Sequence, residues 1–227
     1  HNRCRRQRQM CIRDRFTPPL TAKLGKRWAD LLVCEHIAHT VLNNNKIESL
    51  KSEVIKGGNR LFLEMERFDR IGLKGRAGVI SLMALDLEFV GRLGTWTEVA
   101  TELFKLKLIK ESLLRQIKWL DIFGALIGNT DRHAGNLSFF TKDFLPQKLT
   151  PVYDMLPMLY RPIGDQLVER EFNVSLPNPS DGDVWRSAYQ VALSFWKQVK
   201  DHPLITKGFR KLAKENLNTL EQNGDYG

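Results

Sequence analysis

Between positions 129 and 136 the sequence gathers Asn129, Asp131, Arg132, His133 and Asn136 into one polar turn. An apolar helix-forming run (Leu113 to Ile127) precedes it and a short strand-like run (Leu137 to Phe140) follows. Polar groups mounted between two rigid neighbours keep their positions, and catalytic loops are usually mounted in this way. Asp131 and Asn136 are separated by four residues, and Asp154 comes eighteen residues after Asn136, directly behind the apolar run Pro151-Val152-Tyr153. Asp, Asn and Asp are hard oxygen ligands, suited to Mg²⁺ with its substrate phosphates rather than to zinc. Phosphoryl transfer of the kinase type needs this set of roles. One carboxylate orients the attacking hydroxyl, while the Asn and the second Asp hold the metals that neutralise the phosphates. The order D-x-x-x-x-N … D also has a plainer reading as a tight polar loop followed by a helix cap at Asp154, because Asp and Asn are common turn residues.

Elements upstream bear on the choice. Trp28, Leu31, Leu32, Ala38 and Leu42 recur at spacings of three and four, which predicts an amphipathic helix over about 27–43. Glu35 falls in the middle of that apolar stripe, where a carboxylate needs a partner. The partner is either backbone, in a structural role, or the phosphate-binding lysine with which a kinase glutamate pairs. Strand-like runs over about 46–56 and 60–67, separated by Gly57-Gly58, predict a hairpin. The second of them, in LFLEMERFD, runs straight into a loop as an adenine-binding hinge does, with Glu66, Arg67 and Phe68 offering backbone groups and an apolar contact. His133, two residues from Asp131, reads as a structural hydrogen-bonder, a nucleotide-pocket residue or a rival general base. Mainly helical sequence over about 96–128, apolar runs at Leu137–Phe140 and Leu149–Tyr153, and two amphipathic C-terminal helices complete an α+β arrangement. The aromatics of the last two helices read as core.

Length and composition bound the rest. A chain of 227 residues, 42% hydrophobic, makes one large domain or two small ones and can bury a core without disulfides. No run approaches the roughly 18 apolar residues of a membrane helix. Cys4, Cys11 and Cys34 form no CxxC spacing, which argues against a zinc site or a disulfide framework and fits a reducing, cytoplasmic compartment. The formal charge is +9, but the Arg-rich leader HNRCRRQRQMCIRDR carries +5 of it. An arginine arm on a phosphate backbone is one reading of that leader, and a segment foreign to the fold is another.

Three motifs in this order, EMERFDR at 64–70, GNTDRHAGNLSF at 128–139 and PVYDMLPM at 151–158, resemble those of the HipA-type serine/threonine kinases, the toxins of bacterial toxin–antitoxin modules. RWADLL and YDMLPM are most similar to a subgroup in which a DNA-binding domain precedes the kinase. The resemblance implies a protein-kinase-like fold with a mostly helical C-lobe and a partial strand-bearing N-lobe. It also implies ATP and Mg²⁺ as cofactors and a protein hydroxyl as acceptor. Asp131 would be the catalytic aspartate, Asn136 and Asp154 the Mg²⁺ ligands, and Glu35, Glu66, Arg67, Phe68, His133 and Tyr153 nucleotide-site residues. An antitoxin partner and DNA association, through a partner or a preceding domain, are implied as well.

Two departures from the family matter. Gly135 stands where members commonly have a lysine, as in NxDxHxKN, so one phosphate-facing cation is missing; the related loop of lipid kinases is a minor alternative. No phosphate-covering loop precedes Phe16, and Arg15 occupies the position expected for the strand lysine, for which it is not an equivalent ammonium donor. The expected organisation is therefore a leader outside the fold (1–15), a partial N-lobe and hinge (16–70), a helical C-lobe (71–222) and a tail (223–227), in a truncated kinase with Glu35 lacking its lysine. The competing reading is a non-catalytic, pseudokinase-type binding module acting through protein or DNA partners.

Overall fold

A computed structural model describes residues 12–72, 74–143, 145–174 and 182–224. Strand β1 (Ile12–Phe16) is followed by helix α1 (Lys23–Asn44), β2 (Ser52–Gly57) and β3 (Arg60–Glu66), and the three strands form an antiparallel sheet in the order β1-β3-β2. Gly58, at φ +55°, closes the β2–β3 hairpin, with Gly57 opposite Arg60. On β3, Leu61, Leu63 and Met65 are buried in alternation, as the sequence pattern requires.

Three boundaries in this part differ from expectation, the first being α1, which begins at Lys23 rather than near residue 27. The hairpin's first strand begins at Ser52, not near residue 46, because Lys46 takes a positive φ and Asn43 caps the following loop by accepting from the Ser49 N–H at 3.0 Å. The leader also ends earlier: residues 12–15, expected outside the fold, pair along β3, with Arg15 opposite Leu63 and Phe16 opposite Phe62. A short charged strand shows no apolar alternation, so only the backbone ladder reveals it. Residues 1–11 of the leader lie outside the described residues, as do Cys4 and Cys11.

Helix α1 lies between this sheet and the C-terminal helices. Leu31, Leu32, Val33, Cys34, Ile37, Ala38, Val41 and Leu42 are all buried, so the helix is covered on most sides rather than along one stripe. Burial raises the Cys34 thiol well above its usual range, which makes it an inert core group. Asp30 ties α1 to the last helix. Its carboxylate accepts from the backbone N–H and the hydroxyl of Thr206, each at 2.7 Å. Replacing this buried acceptor leaves two donors unsatisfied. Asp30→Ala is expected to cost about 1.5–3 kcal/mol, read as a lower urea midpoint at unchanged m, and Asp30→Asn, which keeps one oxygen, to cost less.

The second part begins with a small two-stranded ribbon, β4 (Arg70–Ile71) and β5 (Gly75–Arg76). Strands β6 (Val79–Ser81), β7 (Ser138–Lys142) and β8 (Leu145–Leu149) then form an antiparallel sheet in chain order. Between β6 and β7 come α2 (Leu82–Leu85), a π-helical turn (Asp86–Val90), α3 (Trp96–Lys105) and α4 (Glu111–Leu126). The helical stretch expected over 96–128 is thus two helices, broken where Lys107 takes φ +60°. Thr95 and Glu98 start α3 with a reciprocal capping box. The run Leu149–Tyr153 is not a strand beyond Leu149. The β7–β8 hairpin, turning at Asp143 (φ +52°), uses Leu145–Leu149 instead, and Val152 makes one parallel bridge to Ser49.

Helices α5 (Gly182–Asp201) and α6 (Lys207–Asn223) close the fold with the expected core faces. Trp185, Ala188, Ala192, Phe195, Trp196 and Val199 are buried on one, and Phe209, Ala213, Leu217 and Leu220 on the other. Among the described residues, no helix is long and apolar enough to cross a membrane.

Candidate active site

A cleft of about 570 Å³ opens between the β1-β3-β2 sheet and the β6–β8 region. Its walls bring together Arg15, Glu35, Met65, Glu66, Arg67, Phe68, Asn136, Tyr153 and Asp154. Seven of the residues singled out from sequence line it. Asp131 and His133 do not; they stand on the loop that continues from its wall. The apolar end is formed by Leu50, Met65 and Val79 with Phe68, which stacks on Tyr153 (centroids 5.8 Å apart) and meets Phe140 edge-on. At the hinge, Arg67 grips Asp69 with two bonds of 2.8 and 2.5 Å, and these hold the Asp69 carboxyl below its usual range. A larger cavity of about 620 Å³, lined by Trp119, Lys148 and Arg115, lies on other elements and contains none of the candidate residues.

The loop after α4 is built to be rigid. Asn129, only 1% exposed, accepts from the Asp131 N–H at 3.0 Å and donates to the Asp154 carbonyl at 3.2 Å, so one side chain joins the loop to the segment carrying Asp154. Arg132 turns back to Asp121 of α4 (2.9 Å) and to the Asn129 carbonyl. Asn136 donates to the Asp131 carbonyl at 3.0 Å, and Trp96 to the His133 carbonyl at 2.9 Å. The Asp131 carboxylate has no hydrogen-bond or ion-pair partner among the described residues, although its backbone is held on both sides. His133 is exposed, and its Nδ1 accepts from the Gly135 N–H at 3.1 Å. A Cβ on Gly135 would stand 2.9 Å from that ring, so a side chain at the family's lysine position would displace His133.

Arg15 answers the question posed by Glu35. Its guanidinium bonds Glu35 Oε2 at 3.0 Å and also reaches Asp154, so an arginine spans the cleft where a lysine was expected. Burial weighs against the charged guanidinium, but Glu35 and Asp154 more than offset it and hold Arg15 protonated. Glu35 is therefore not left without a cation, and the pairing was missed because the sequence reading put Arg15 at the edge of a leader outside the fold and set arginine aside as a substitute for the lysine. Asp154 takes φ +56°, a conformation uncommon for a non-glycine residue and found disproportionately at functional sites.

The donor set fits a magnesium–nucleotide pair better than a resident metal cage. Asn136 spends its amide N–H on the Asp131 carbonyl while its own carbonyl oxygen has no partner among the described residues, and Asp154 supplies a carboxylate on the same cleft, one oxygen of which meets Arg15. Among the described residues, no three His, Cys, Asp or Glu side chains come together to hold a metal alone. Mg²⁺ is usually held by one or two side chains together with phosphates and water.

Residues 14–217 match the family model of the HipA-like C-terminal domain. The chain belongs to that family. Toxin YjjJ of Escherichia coli (strain K12) is 37% identical over 214 residues, covering 92% of this chain and 47% of the toxin, so the chain spans about half the length of the curated relative it matches. Two solved structures share the HipA-like domain's fold. The Helicobacter pylori proinflammatory kinase CtkA aligns with a TM-score of 0.61 at 13% identity, over 93% of this chain and 86% of its own. HipA of Shewanella oneidensis, solved with HipB and operator DNA, aligns with a TM-score of 0.53 at 15% identity, over 84% of this chain and 54% of its own. The expected kinase-like α+β fold is the one observed.

Proposed function

We propose that this HipA-like domain transfers the γ-phosphate of ATP to a serine or threonine hydroxyl of a protein, as the kinase part of a toxin. One observation carries the reading: Glu35, the hinge residues Glu66–Phe68, Asn136, and the adjacent Tyr153 and Asp154, from four separate stretches of sequence, line a single cleft across which Arg15 is strung. Phe68, Met65, Leu50 and Val79 bound an apolar slot for a base, and Arg15, anchored by Glu35, offers a cation to phosphates. Asn136 and Asp154 are the residues that would hold Mg²⁺, and the ion would neutralise the phosphate oxygens in transfer. Asp131, with its backbone fixed and its carboxylate unengaged, accepts the proton of the incoming hydroxyl. The binding-module alternative drew on the absent phosphate-covering loop and lysine; Arg15 supplies a cation in the lysine's place and so removes one of its two supports. The assembly of the Shewanella protein with HipB and operator DNA supports an antitoxin and DNA as partners of the intact protein, and a nucleotide-dependent enzyme of this kind would work in the cytoplasm.

Calorimetric titration with MgATP tests the site without a known acceptor. The wild-type chain is expected to bind in a magnesium-dependent manner, and Asp154→Ala to bind at least tenfold more weakly, about 1.4 kcal/mol or more. Equal affinities would remove Asp154 from the metal site, and no binding by the wild type would overturn the reading.

A further inference from the structure

Behind Glu35, on the side away from Arg15, lies a group of residues that the cleft does not use. His39 sits one turn further along α1, only 1% exposed, with Nε2 4.0 Å from Glu35 Oε1. Its other nitrogen, Nδ1, is 2.9 Å from Ser52 Oγ at the start of β2, and the same oxygen is 3.0 Å from Nδ1 of the half-buried His36. A serine hydroxyl has one proton and two lone pairs; Ser52 Oγ has no other partner among the described residues, so it donates to one ring nitrogen and accepts from the other. If it donated to His36, His39 would spend its proton on Ser52 and aim a bare Nε2 lone pair at a buried carboxylate. If it donates to His39, the His39 proton moves to Nε2 and faces Glu35, while His36 donates from Nδ1 to Ser52. Only the second arrangement puts a positive dipole end against the anion, and in a dry interior that difference decides.

We infer that His39 is a positioning residue for Glu35, locked by Ser52 and His36 in the tautomer whose proton lies on Nε2. At 4.0 Å the contact is a charge–dipole one and closes to a hydrogen bond with a shift of about 1 Å. Glu35 is thereby held from two directions, by Arg15 toward the cleft through Oε2 and by His39 from behind through Oε1. A carboxylate fixed at both oxygens presents the Arg15 guanidinium to phosphate in one geometry. This rests on the kinase reading only for what Arg15 meets; the tautomer does not depend on it.

Long-range ¹H–¹⁵N NMR of the histidine rings at neutral pH reads the tautomer directly. The expected result is a protonated Nε2 and bare Nδ1 on His39, with a mixture of the two tautomers in Ser52→Ala. MgATP titration then compares His39→Gln, whose amide restores an N–H near the Nε2 position, with His39→Asn, which places one near Nδ1. Affinity within about twofold of wild type is expected for Gln, and a loss of at least fivefold for Asn, at similar thermal midpoints. A proton on Nδ1 of His39, or equal affinities for the two variants, overturns the inference. Failure of the wild type to bind MgATP would overturn the kinase reading instead, and the NMR result would then decide this inference on its own. Ser52→Ala lies at the edge of the core and keeps the test open should the His39 variants fail to fold.

Discussion

Asp131→Ala is expected to lower phosphate transfer to protein by about 10²- to 10⁴-fold, the usual contribution of a positioned acid–base group, while MgATP affinity stays within about twofold of wild type. The separation of the two effects follows from the loop. Asp131 does not line the cleft in which the nucleotide would lie. The bonds that hold the loop run through the Asp131 backbone to Asn129 and Asn136 and through the Arg132 side chain to Asp121, and none uses the Asp131 carboxylate. Removing that carboxylate leaves the frame standing and deletes only the group proposed to accept the proton. His133→Ala is the control. Its ring bonds one backbone N–H and stays outside the cleft, so transfer should change by no more than severalfold. The two variants, measured in the full-length protein with labelled ATP beside a calorimetric titration, separate the candidates. Transfer by Asp131→Ala at the wild-type rate would take the base role from Asp131, and a collapse in His133→Ala alone would give it to the histidine.

Much of this candidate site is legible in the sequence because its signals are local. The order of Asp131, Asn136 and Asp154, and a carboxylate stranded among Leu31, Leu32 and Ala38, are written in short stretches of sequence, although Asp and Asn in a turn are common enough that the order alone is a weak signal. The core faces of α5 and α6 were legible for the same reason, since a period near 3.6 is written in each segment alone. What stayed hidden depends on pairing between distant segments. β1 is charged and short, and only its ladder with β3 makes it a strand; without that strand, Arg15 had no claim on Glu35. β8 contains Pro146 and Gln147 and reads as loop until β7 is laid beside it. Asn129 was visible as a polar residue in a polar turn, but its role as a brace between the loop and Asp154 needs the fold that brings residue 154 alongside. Ser52 and His39 carried no signal at all. A serine opening a strand and a histidine on a helix are ordinary, and their meaning comes from one shared proton.

The same histidine carries the second large expected effect, a steep loss of stability in acid. Burial, with the charges of His36 and Arg15 adding to it, lowers His39 from 6.5 to about 3. Glu35 stands close, but its charge is already engaged by Arg15, and burial decides. Between about pH 6.5 and 3 the unfolded chain therefore binds a proton at this position that the folded chain refuses, so stability rises with pH across that window. The contribution is complete above about 6.5 and is lost as the pH falls toward 3, at most about 4–5 kcal/mol for a shift of this size. That is comparable with the lower part of the roughly 5–15 kcal/mol that holds a domain folded. His36, also lowered by burial, acts in the same direction; Asp30, raised by burial, opposes it by stabilising the folded state at low pH. Urea unfolding of wild type and His39→Gln at several values between pH 7.5 and 4 measures the term. The wild-type curve should fall more steeply than that of the variant, which has no imidazole to titrate, and the gap between them should close as the pH drops. Parallel curves would mean that His39 takes up its proton inside the folded protein, and the dry contact with Glu35 would then be an ion pair rather than the neutral brace described above.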